Sequence, residues 1–347
     1  MNVLFLTPSY PTEEDPVAGV FVREHALAAA AHANVTVLHL ARGRATGVRE
    51  VPGEPLPTWR VGYPSRPAAI GLLASAAAGL HRLPTPDLVH AHFFLAGAPA
   101  ALLSRKPLVV SEHWSVFLPE DPLRLSAPMR AAARLAFGRA RAVLPVSRAL
   151  ESGILAAAPR ARTTVVPNVV DTELFHPGGE PEQGRLLAVG LFYEAKGFDT
   201  LLDALPEIPG ARLDLVGDGE LRSKLEQRAR GLPVTFHGRL SKPDVAALMR
   251  RAQLLVLPSR FETSAVVGLE ALASGLPVVG TRVAAIPELL DDDGSGVLAE
   301  PGRLAEAIRL ALERDFDRPA IAARAKERYS REAVGRQLAE IYRGLVK

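Results

Sequence analysis

The chain has 347 residues, of which 48% are hydrophobic and 23% charged, and it contains no cysteine. The lack of cysteine excludes a disulfide framework, a thiol nucleophile and a Cys-liganded zinc or iron–sulfur site. The net charge of +3 is unevenly distributed, because residues 1–170 carry 17 Lys/Arg against 11 Asp/Glu and the remainder carries 24 against 27. Such an asymmetry, at this length, is typical of two domains with different partners.

Short apolar runs of strand length alternate with segments of helical length from the N-terminus onward. In the first half the predicted strands are Val3–Thr7, Val35–Leu40, Leu88–His92, Leu108–His113, Val143–Val146 and Thr163–Val166. No basic and hydrophobic leader precedes the first of them, so we expect no secretory signal. The longest uncharged apolar stretch, Leu88 to Ser104, is shorter than the roughly 20 residues that a membrane span needs. The sequence therefore predicts a cytoplasmic protein.

The second half repeats the alternation after a segment that is rich in proline and glycine. Its predicted strands are Arg185–Gly190, Arg212–Val216, Val234–Phe236, Leu254–Leu257 and Pro277–Gly280. Eleven strands are too many for one doubly wound sheet, so we predict two α/β domains. The expected bounds are 1–170 for the first domain, 171–184 for a linker and 185–328 for the second domain. We expect a C-terminal helix over 329–347 to pack back on the first domain, and ligands to bind at the carboxyl ends of strands in the cleft where the two sheets face each other.

The most informative segment runs from Pro258 to Gly275, where a predicted strand is followed by a helix. Glu262 precedes this helix, and Glu270 lies within it among apolar neighbours. A carboxylate buried there needs hydrogen-bond donors, and a ribose diol offers two. The amides of Ser264, Ala265 and Val266 at the helix start are suited to an anion such as a pyrophosphate. Two solvated glutamates on a surface helix are the alternative, which the apolar flanks disfavour.

Three further residues occupy predicted strand-to-helix loops. Lys196 follows the strand Arg185–Gly190 and is suited to meet phosphate oxygens as a point charge; a solvated loop lysine is the alternative. His113 ends a strand and is either a ligand-facing or a structural histidine. Gly19 is either a position where backbone amides approach a phosphate closely or an ordinary turn glycine.

Glu262 and Glu270 form a Glu-x7-Glu motif in a Pro-Ser-x-x-Glu…Glu-Ala-x-Ala-x-Gly-x-Pro-Val-Val frame. Together with the segments at 8–24, 87–92, 109–113 and 166–175, this frame resembles the family 4 retaining glycosyltransferases of the GT-B fold, which transfer sugars from nucleotide-sugar donors. The resemblance implies two Rossmann-like domains with parallel sheets, the acceptor bound by the first and the donor by the second. It also implies no cofactor beyond the nucleotide-diphosphate sugar, which is a co-substrate, and no essential metal.

The resemblance assigns roles to individual residues. It implies three catalytic residues, Glu262, His113 and Lys196. It implies that the substrates contact Gly19, Glu270, Ser264, Ala265, Val266, Gly217, Arg239 and Leu240. In these roles Glu262 holds the transferred sugar, Glu270 the ribose and Lys196 the diphosphate. Many members of the family carry Arg where this chain has Leu191, so either Lys196 acts with less help or another cation, such as Arg260 or Arg239, substitutes for that Arg.

Several alternatives to this interpretation remain open. The chain is either a glycosyltransferase with a glycan (such as a cell-envelope polysaccharide), lipid-linked or small-molecule acceptor, a nucleotide-sugar 2-epimerase on a similar fold, or a non-catalytic sugar- or nucleotide-binding protein. Asp291, Asp292 and Asp293 are interpreted as a solvated acidic turn rather than a metal site.

The Arg-rich segment between Arg124 and Arg162 is interpreted either as a solvated surface or, over 124–141, as a patch that associates peripherally with the anionic inner face of the membrane. Nucleic acid is not an expected partner, because aromatic residues make up only 5% of the chain and no recognition module is present.

Overall fold

The computed structural model describes residues 1–66, 68–290 and 294–346, and the chain divides into two compact units. One unit comprises Met1–Val169 with the C-terminal segment from Arg331, and the other comprises Val170–Ser330. The predicted acidic turn at 291–293 lies outside the described residues. No helix in the described ranges is long and apolar enough to cross a membrane.

The first unit is built on a seven-stranded sheet with the order β3-β4-β2-β1-β5-β6-β7. Its strands are β1 (Asn2–Thr7), β2 (Asn34–Gly43), β3 (Arg49–Glu50), β4 (Thr58–Pro64), β5 (Leu88–His92), β6 (Leu108–Glu112) and β7 (Ala142–Pro145). All neighbours are parallel except β3 and β4. β5 and β6 are buried along their whole length, as expected of parallel strands that helices cover on both faces.

Five helices of this unit follow the strands β1, β4, β5, β6 and β7. They are α1 (Val20–Ala30), α2 (Ala68–Arg82), α3 (Phe93–Leu103), α4 (Ala127–Arg139) and α5 (Arg148–Ala157), with a 3-10 turn at Ser115–Phe117. Ser126 and Ser147 cap α4 and α5 by accepting hydrogen bonds from backbone amides. These caps provide acceptors for backbone N–H groups in the first turn, which have no partner within the helix.

The second unit contains a six-stranded, all-parallel sheet with the order β10-β9-β8-β11-β12-β13. Its strands are β8 (Arg185–Val189), β9 (Arg212–Val216), β10 (Val234–Gly238), β11 (Leu254–Leu257), β12 (Val278–Thr281) and β13 (Gly296–Ala299). Its helices are α6 (Phe198–Ala204), α7 (Arg222–Arg228), α8 (Lys242–Arg251), α9 (Val266–Ala273), α10 (Ile286–Leu290), α11 (Leu304–Glu313) and α12 (Arg318–Tyr329), with 3-10 turns at Glu194–Lys196 and Leu205–Glu207.

The last helix, α13 (Arg331–Leu345), packs on α1 of the first unit. Gly335 lies so close to α1 that a Cβ there would meet the carbonyl oxygen of Ala28 at 2.4 Å. Val334, Leu338 and Tyr342 are fully buried in the same core. The amphipathic pattern of the C-terminus therefore has a defined partner face.

The two parallel α/β sheets agree with the predicted fold class, but some elements differ. The predicted strand Thr163–Val166 is wrong, because this segment forms only a single bridge to β7, between Thr163 and Val143. Val166 donates to the carbonyl of Pro145, but Pro145 has no N–H to complete the next bridge. The sequence prediction also lacked β4, α2 and β13.

Candidate active site

A lysine and a glutamate meet at the carboxyl edge of the second sheet. Lys196 ends the 3-10 turn after β8, and Glu262 follows β11, which pairs with β8. Their loops are held together because Gly197 has φ 61° and a Cβ there would meet the carbonyl oxygen of Pro258 at 2.0 Å. As a result the Lys196 Nζ donates to Oε2 of Glu262 at 2.5 Å. The structure thus brings together two of the three predicted catalytic residues.

The helix that follows Glu262 begins in an unusual way. Its N-cap, Ala265, adopts φ 45° and ψ 57°, and no side chain caps the helix. A left-handed conformation costs a non-glycine residue about 1–2 kcal/mol, and strain of this kind is concentrated at functional sites. The half-buried residues Ser264 and Val266 flank this cap. An uncapped helix start next to a lysine is well suited to bind an anion.

Glu270 lies on the same helix and is only 7% exposed. The Nζ of Lys242 lies 3.3 Å from its Oε1 and 5.8 Å from the centroid of the Phe175 ring. The predicted need for a donor at this carboxylate is thus met in part by a residue that the sequence analysis missed. Lys242 could have been found from its position in the sequence, because it begins the helix that follows Arg239 and Leu240, two residues predicted to contact the substrates.

The ends of β8, β9 and β10 pack backbone against backbone. A Cβ on Gly217 would meet the carbonyl oxygen of Gly190 at 1.8 Å. The amide of Gly217 donates to the carbonyl of Gly238 at 2.8 Å. Arg239 and Leu240 follow directly; the former is exposed, and the latter packs against the core. Close packing alone therefore explains the glycine at 217.

The two cations expected to substitute for the family's Arg differ in their surroundings. Leu191 itself is 41% exposed. Arg260 donates to both carboxylate oxygens of Asp199, at 3.1 and 2.7 Å, and this pairing lowers the pKa of Asp199. Arg239, by contrast, has no carboxylate within 4.0 Å among the described residues. Arg239 is thus the cation that is available to a ligand.

A cluster of histidines lies at the carboxyl edge of the first sheet. The Nδ1 of His92, at the end of β5, and the Nε2 of His113, after β6, share a hydrogen bond of 3.0 Å. Their ring centroids are 5.3 Å apart and the planes are inclined by 11°, so the two rings meet edge to edge. His25 of α1 lies 5.7 and 5.6 Å from them. Burial lowers the pKa of all three imidazoles, which keeps them neutral.

These three histidines are also a possible metal-ligand set. Each offers one ring nitrogen, and these atoms lie within 4.8 Å of one another. Neutral imidazole is the form that binds metals. The hydrogen bond between His92 and His113 directs their facing nitrogens at each other, so a cation would have to displace it. The expected absence of an essential metal stays a prediction.

The loops that carry these histidines are held by a buried carboxylate that the sequence analysis missed. Oε2 of Glu112 accepts the amide of Phe94 at 2.8 Å, and Oε1 accepts the amides of His113 and Trp114 at 3.0 Å each. Burial raises the pKa of Glu112 to about 7, and the three amides oppose this shift. Phe93, the first residue of α3, has φ 66° and lies between His92 and the amide of Phe94. Glu112 therefore joins the end of β5 to the end of β6.

Gly19 precedes α1 in the same unit and has φ 62°. A Cβ there would meet the carbonyl oxygen of Ser9 at 2.3 Å. This approach of the Ser9–Tyr10 backbone explains the glycine on structural grounds. Its predicted contact with a donor phosphate stays a prediction.

Comparison with known proteins identifies the family. The family model described as "Glycosyltransferase Family 4" matches residues 18–174, and the model described as "Glycosyl transferases group 1" matches residues 183–314. D-inositol 3-phosphate glycosyltransferase 1 of Catenulispora acidiphila is 33% identical over 324 residues, which cover 80% of this chain and 77% of that protein. The chain belongs to the family 4 glycosyltransferases. It is therefore a retaining glycosyltransferase, in agreement with the motif-based assignment.

Other relatives of this glycosyltransferase differ in size. Sulfoquinovosyl transferase SQD2 of Arabidopsis thaliana is 31% identical over 248 residues, 64% of this chain, and the match spans 48% of that protein. Among solved structures, sucrose-phosphate synthase from Thermosynechococcus elongatus superposes with a TM-score of 0.80 at 20% identity, covering 99% of both chains. Anabaena Alr3699/HepE in complex with UDP gives 0.78 at 23% identity, covering 99% of this chain and all of that one. At these identities the structures confirm the GT-B fold.

Proposed function

We propose that this glycosyltransferase takes its sugar from a nucleoside-diphosphate sugar held by the second unit and transfers it to an acceptor hydroxyl. The observation that carries the proposal is the Lys196–Glu262 pair beside the uncapped start of α9, with Glu270 further along the same helix. Residues 266 and 270 are separated by about 6 Å of helix rise. That spacing suits a diphosphate at the helix start and a ribose one turn along.

The ion pair also suits the exchange that donor binding requires. Without a ligand, Glu262 neutralises Lys196, so neither charge is left unpaired in a half-buried site. A bound donor supplies phosphate oxygens to Lys196 and hydroxyl donors to Glu262. Each residue of the pair thus gains a ligand partner as it loses the other.

In this proposal, most of the rate enhancement comes from stabilising the negative charge that develops on the departing phosphate. The bond between the anomeric carbon and the β-phosphate oxygen breaks, and its electron pair leaves with the nucleoside diphosphate. The acceptor oxygen attacks from the same face, and its proton passes to the departing phosphate. Lys196 and the amides of Ser264, Ala265 and Val266 stabilise the negative charge that develops on the leaving group. Arg239 and Leu240 lie beside the nucleobase, Gly217 lines the neighbouring loop, and Gly19 approaches the donor phosphate.

We assign His113 to the transferred sugar or the acceptor hydroxyl. The assignment rests on the family resemblance and on its position after β6, beside His92. Its buried, neutral imidazole can donate or accept a hydrogen bond without bringing a charge. The acceptor is a glycan, a lipid-linked molecule or a small molecule, and the name of the Catenulispora acidiphila relative contains an inositol phosphate.

Peripheral association with an anionic membrane through residues 124–141 is a further part of the proposal. This segment carries five arginines and no acidic residue. Arg124, Arg130 and Arg134 donate to backbone carbonyl oxygens, which fixes their side chains without neutralising their charge. Vesicle flotation with and without anionic lipid tests this part, and equal recovery on both would contradict it.

The donor experiment begins with a thermal-shift screen of UDP-, GDP- and ADP-sugars, because a ligand of the folded state raises apparent stability. Product analysis with the best donor follows, with and without acceptors. We expect transfer to be lost in Glu262→Gln and Lys196→Ala and kept in the exposed controls Glu220→Gln and Lys224→Ala. Unchanged turnover in the first pair overturns the site. A converted donor without acceptor indicates an epimerase, and binding without transfer or hydrolysis indicates a binding protein.

A further inference from the structure

A concave pocket of about 530 Å³ lies in the first unit, at the edge of the sheet opposite the histidines. It is lined by the segments that precede β6 and β7 and by the segment after α5. Backbone hydrogen bonds hold these segments together, from the amide of Arg141 to the carbonyl of Leu108 at 2.7 Å and from Val143 to Arg162 at 2.8 Å. The pocket is therefore a fixed feature of the sheet edge.

Six cations line this pocket, and no acidic residue does. They are Arg105, Lys106, Arg139, Arg141, Arg160 and Arg162. Within the described ranges, no carboxylate lies within 4.0 Å of any of them. Arginines elsewhere are commonly paired, as Arg185 is with Asp214 and Arg228 with Asp203. The six charges equal the whole positive excess of residues 1–170.

The helix ends at this pocket do not balance these charges. α3 ends at Leu103 and α4 at Arg139, so two helix C-termini adjoin the pocket. Each helix C-terminus is equivalent to about half a negative charge. Two of them offset roughly one of the six positive charges. Most of the mutual repulsion of the cations is left for a ligand to relieve.

We propose that this pocket binds a multiply charged phosphate anion of the di- or triphosphate class. Guanidinium groups match phosphate oxygens in paired hydrogen bonds, and the volume suits a compact ligand rather than a flat surface. The pocket is separate from the glycosyl-transfer site. Leu108 begins β6 and His113 directly follows its last residue, so the two residues are roughly 17 Å apart along the strand direction.

The test uses inorganic tripolyphosphate as the probe and isothermal titration calorimetry on the full chain. The pocket variant is Arg105→Gln/Arg160→Gln/Arg162→Gln, which leaves residues 124–141 unchanged. The control is Arg44→Gln/Arg66→Gln/Arg343→Gln, which removes the same charge from exposed positions of the same unit. We expect the pocket variant to bind the probe at least roughly tenfold more weakly, and the control to stay within about twofold of the wild type.

A second experiment with lipid vesicles distinguishes a soluble phosphate from the phosphate of a lipid headgroup. Flotation with phosphatidylglycerol vesicles compares the same three proteins. Binding of tripolyphosphate that is lost only in the pocket variant supports the proposal. Vesicle binding that is lost only in that variant, without binding of tripolyphosphate, assigns the pocket to a lipid headgroup and overturns it. Equal weakening in the pocket variant and its charge-matched control overturns the proposal, as does the absence of binding to both probes.

Discussion

The hydroxyl of Tyr342 and the Nδ1 of His90 form a buried hydrogen bond of 2.6 Å between residues that are 252 positions apart. His90 lies in β5, and its other nitrogen bonds to the hydroxyl of Ser111 in β6 at 2.8 Å. The His90 ring also contacts that of His92 at a centroid distance of 4.6 Å. The C-terminal helix is thus joined to the strands whose ends carry the histidine cluster.

Replacing Tyr342 by Phe tests this connection. The substitution leaves Nδ1 of a fully buried His90 without its partner, and a buried unsatisfied polar atom costs about 1–3 kcal/mol. We expect the free energy of unfolding, measured by urea denaturation, to fall by that amount. Tyr193→Phe removes the same hydroxyl from an exposed ring and serves as the control, with a change near zero. Equal effects in both variants would show that the bond contributes little.

A double-mutant cycle tests the Lys196–Glu262 pair in the absence of ligand. Lys196→Ala leaves a half-buried carboxylate without its cation, and Glu262→Gln leaves the cation without its carboxylate. We expect the double variant to be more stable than the sum of the two single effects predicts, by about 1 kcal/mol. Thermal or urea unfolding of the four proteins measures this term. An additive cycle would mean that the two charges are solvated independently.

The titration of Glu112 makes stability depend on pH in a defined direction. Burial raises its pKa in the folded protein from 4.5 to about 7, so the folded state binds this proton more tightly than the unfolded chain. Between those values the stabilising contribution of the protonated carboxyl is lost as the pH rises, by up to about 3 kcal/mol. The buried histidines act in the opposite direction, because their lowered pKa values weaken the fold as the pH falls below about 6.5.

The variant Glu112→Gln separates the contribution of Glu112 from that of the buried histidines. The free energy of unfolding of each protein is followed from pH 4.5 to 8. We expect the wild type to lose stability relative to the variant as the pH rises, because only the wild type carries the carboxyl group of Glu112. Glu120→Gln, at an exposed position, is the control and should give a constant difference. A flat difference for Glu112→Gln would mean that the carboxyl titrates normally in the folded state.

Much of the proposed donor site could be predicted from the sequence, because it depends on local order along the chain. Glu262, Ser264 and Glu270 belong to one strand–loop–helix segment, and β11 and α9 form where the apolar pattern places them. Lys196 could be added because loops after parallel strands share one edge. The missed strand β4 carries no comparable signal, since it mixes Arg60 and Gly62 with apolar residues.

Contacts across elements were beyond the reach of pattern analysis. Glu112 reads as one polar residue in an apolar strand, and only the pairing of β5 with β6 shows that it binds amides from both loops. The His92–His113 bond depends on the same register. Lys242 reaches Glu270 because α8 and α9 both pack in the core of the second unit. Periodicity identifies faces and loops, but it does not determine which side chains meet.

Metal removal tests the histidine cluster. The hydrogen bond between His92 and His113 occupies two of the nitrogens that a cation would need. We expect EDTA treatment to leave the transfer rate within about twofold of the untreated enzyme, because the charge stabilisation that we propose for Lys196 needs no metal. Elemental analysis of the purified chain and re-addition of Zn²⁺ complete the measurement. A loss of activity on EDTA treatment that Zn²⁺ restores in the wild type, but not in His25→Ala, would assign a metal to this cluster.

The strained N-cap of α9 provides the last prediction. Ala265 holds φ 45°, and glycine adopts this conformation without the steric cost of about 1–2 kcal/mol. Glycine also has a more flexible unfolded chain, which removes roughly half of the gain. Both Ala265 and Ala271 are buried, so either substitution also removes a methyl group from the core at a cost of about 0.8 kcal/mol. We expect Ala265→Gly to leave the free energy of unfolding unchanged to within about 0.5 kcal/mol and to leave transfer activity intact, because the amides keep their direction. Ala271→Gly, inside the same helix, is the matched control and should lower stability by about 2 kcal/mol. Equal losses at both positions would show that the left-handed cap carries no strain.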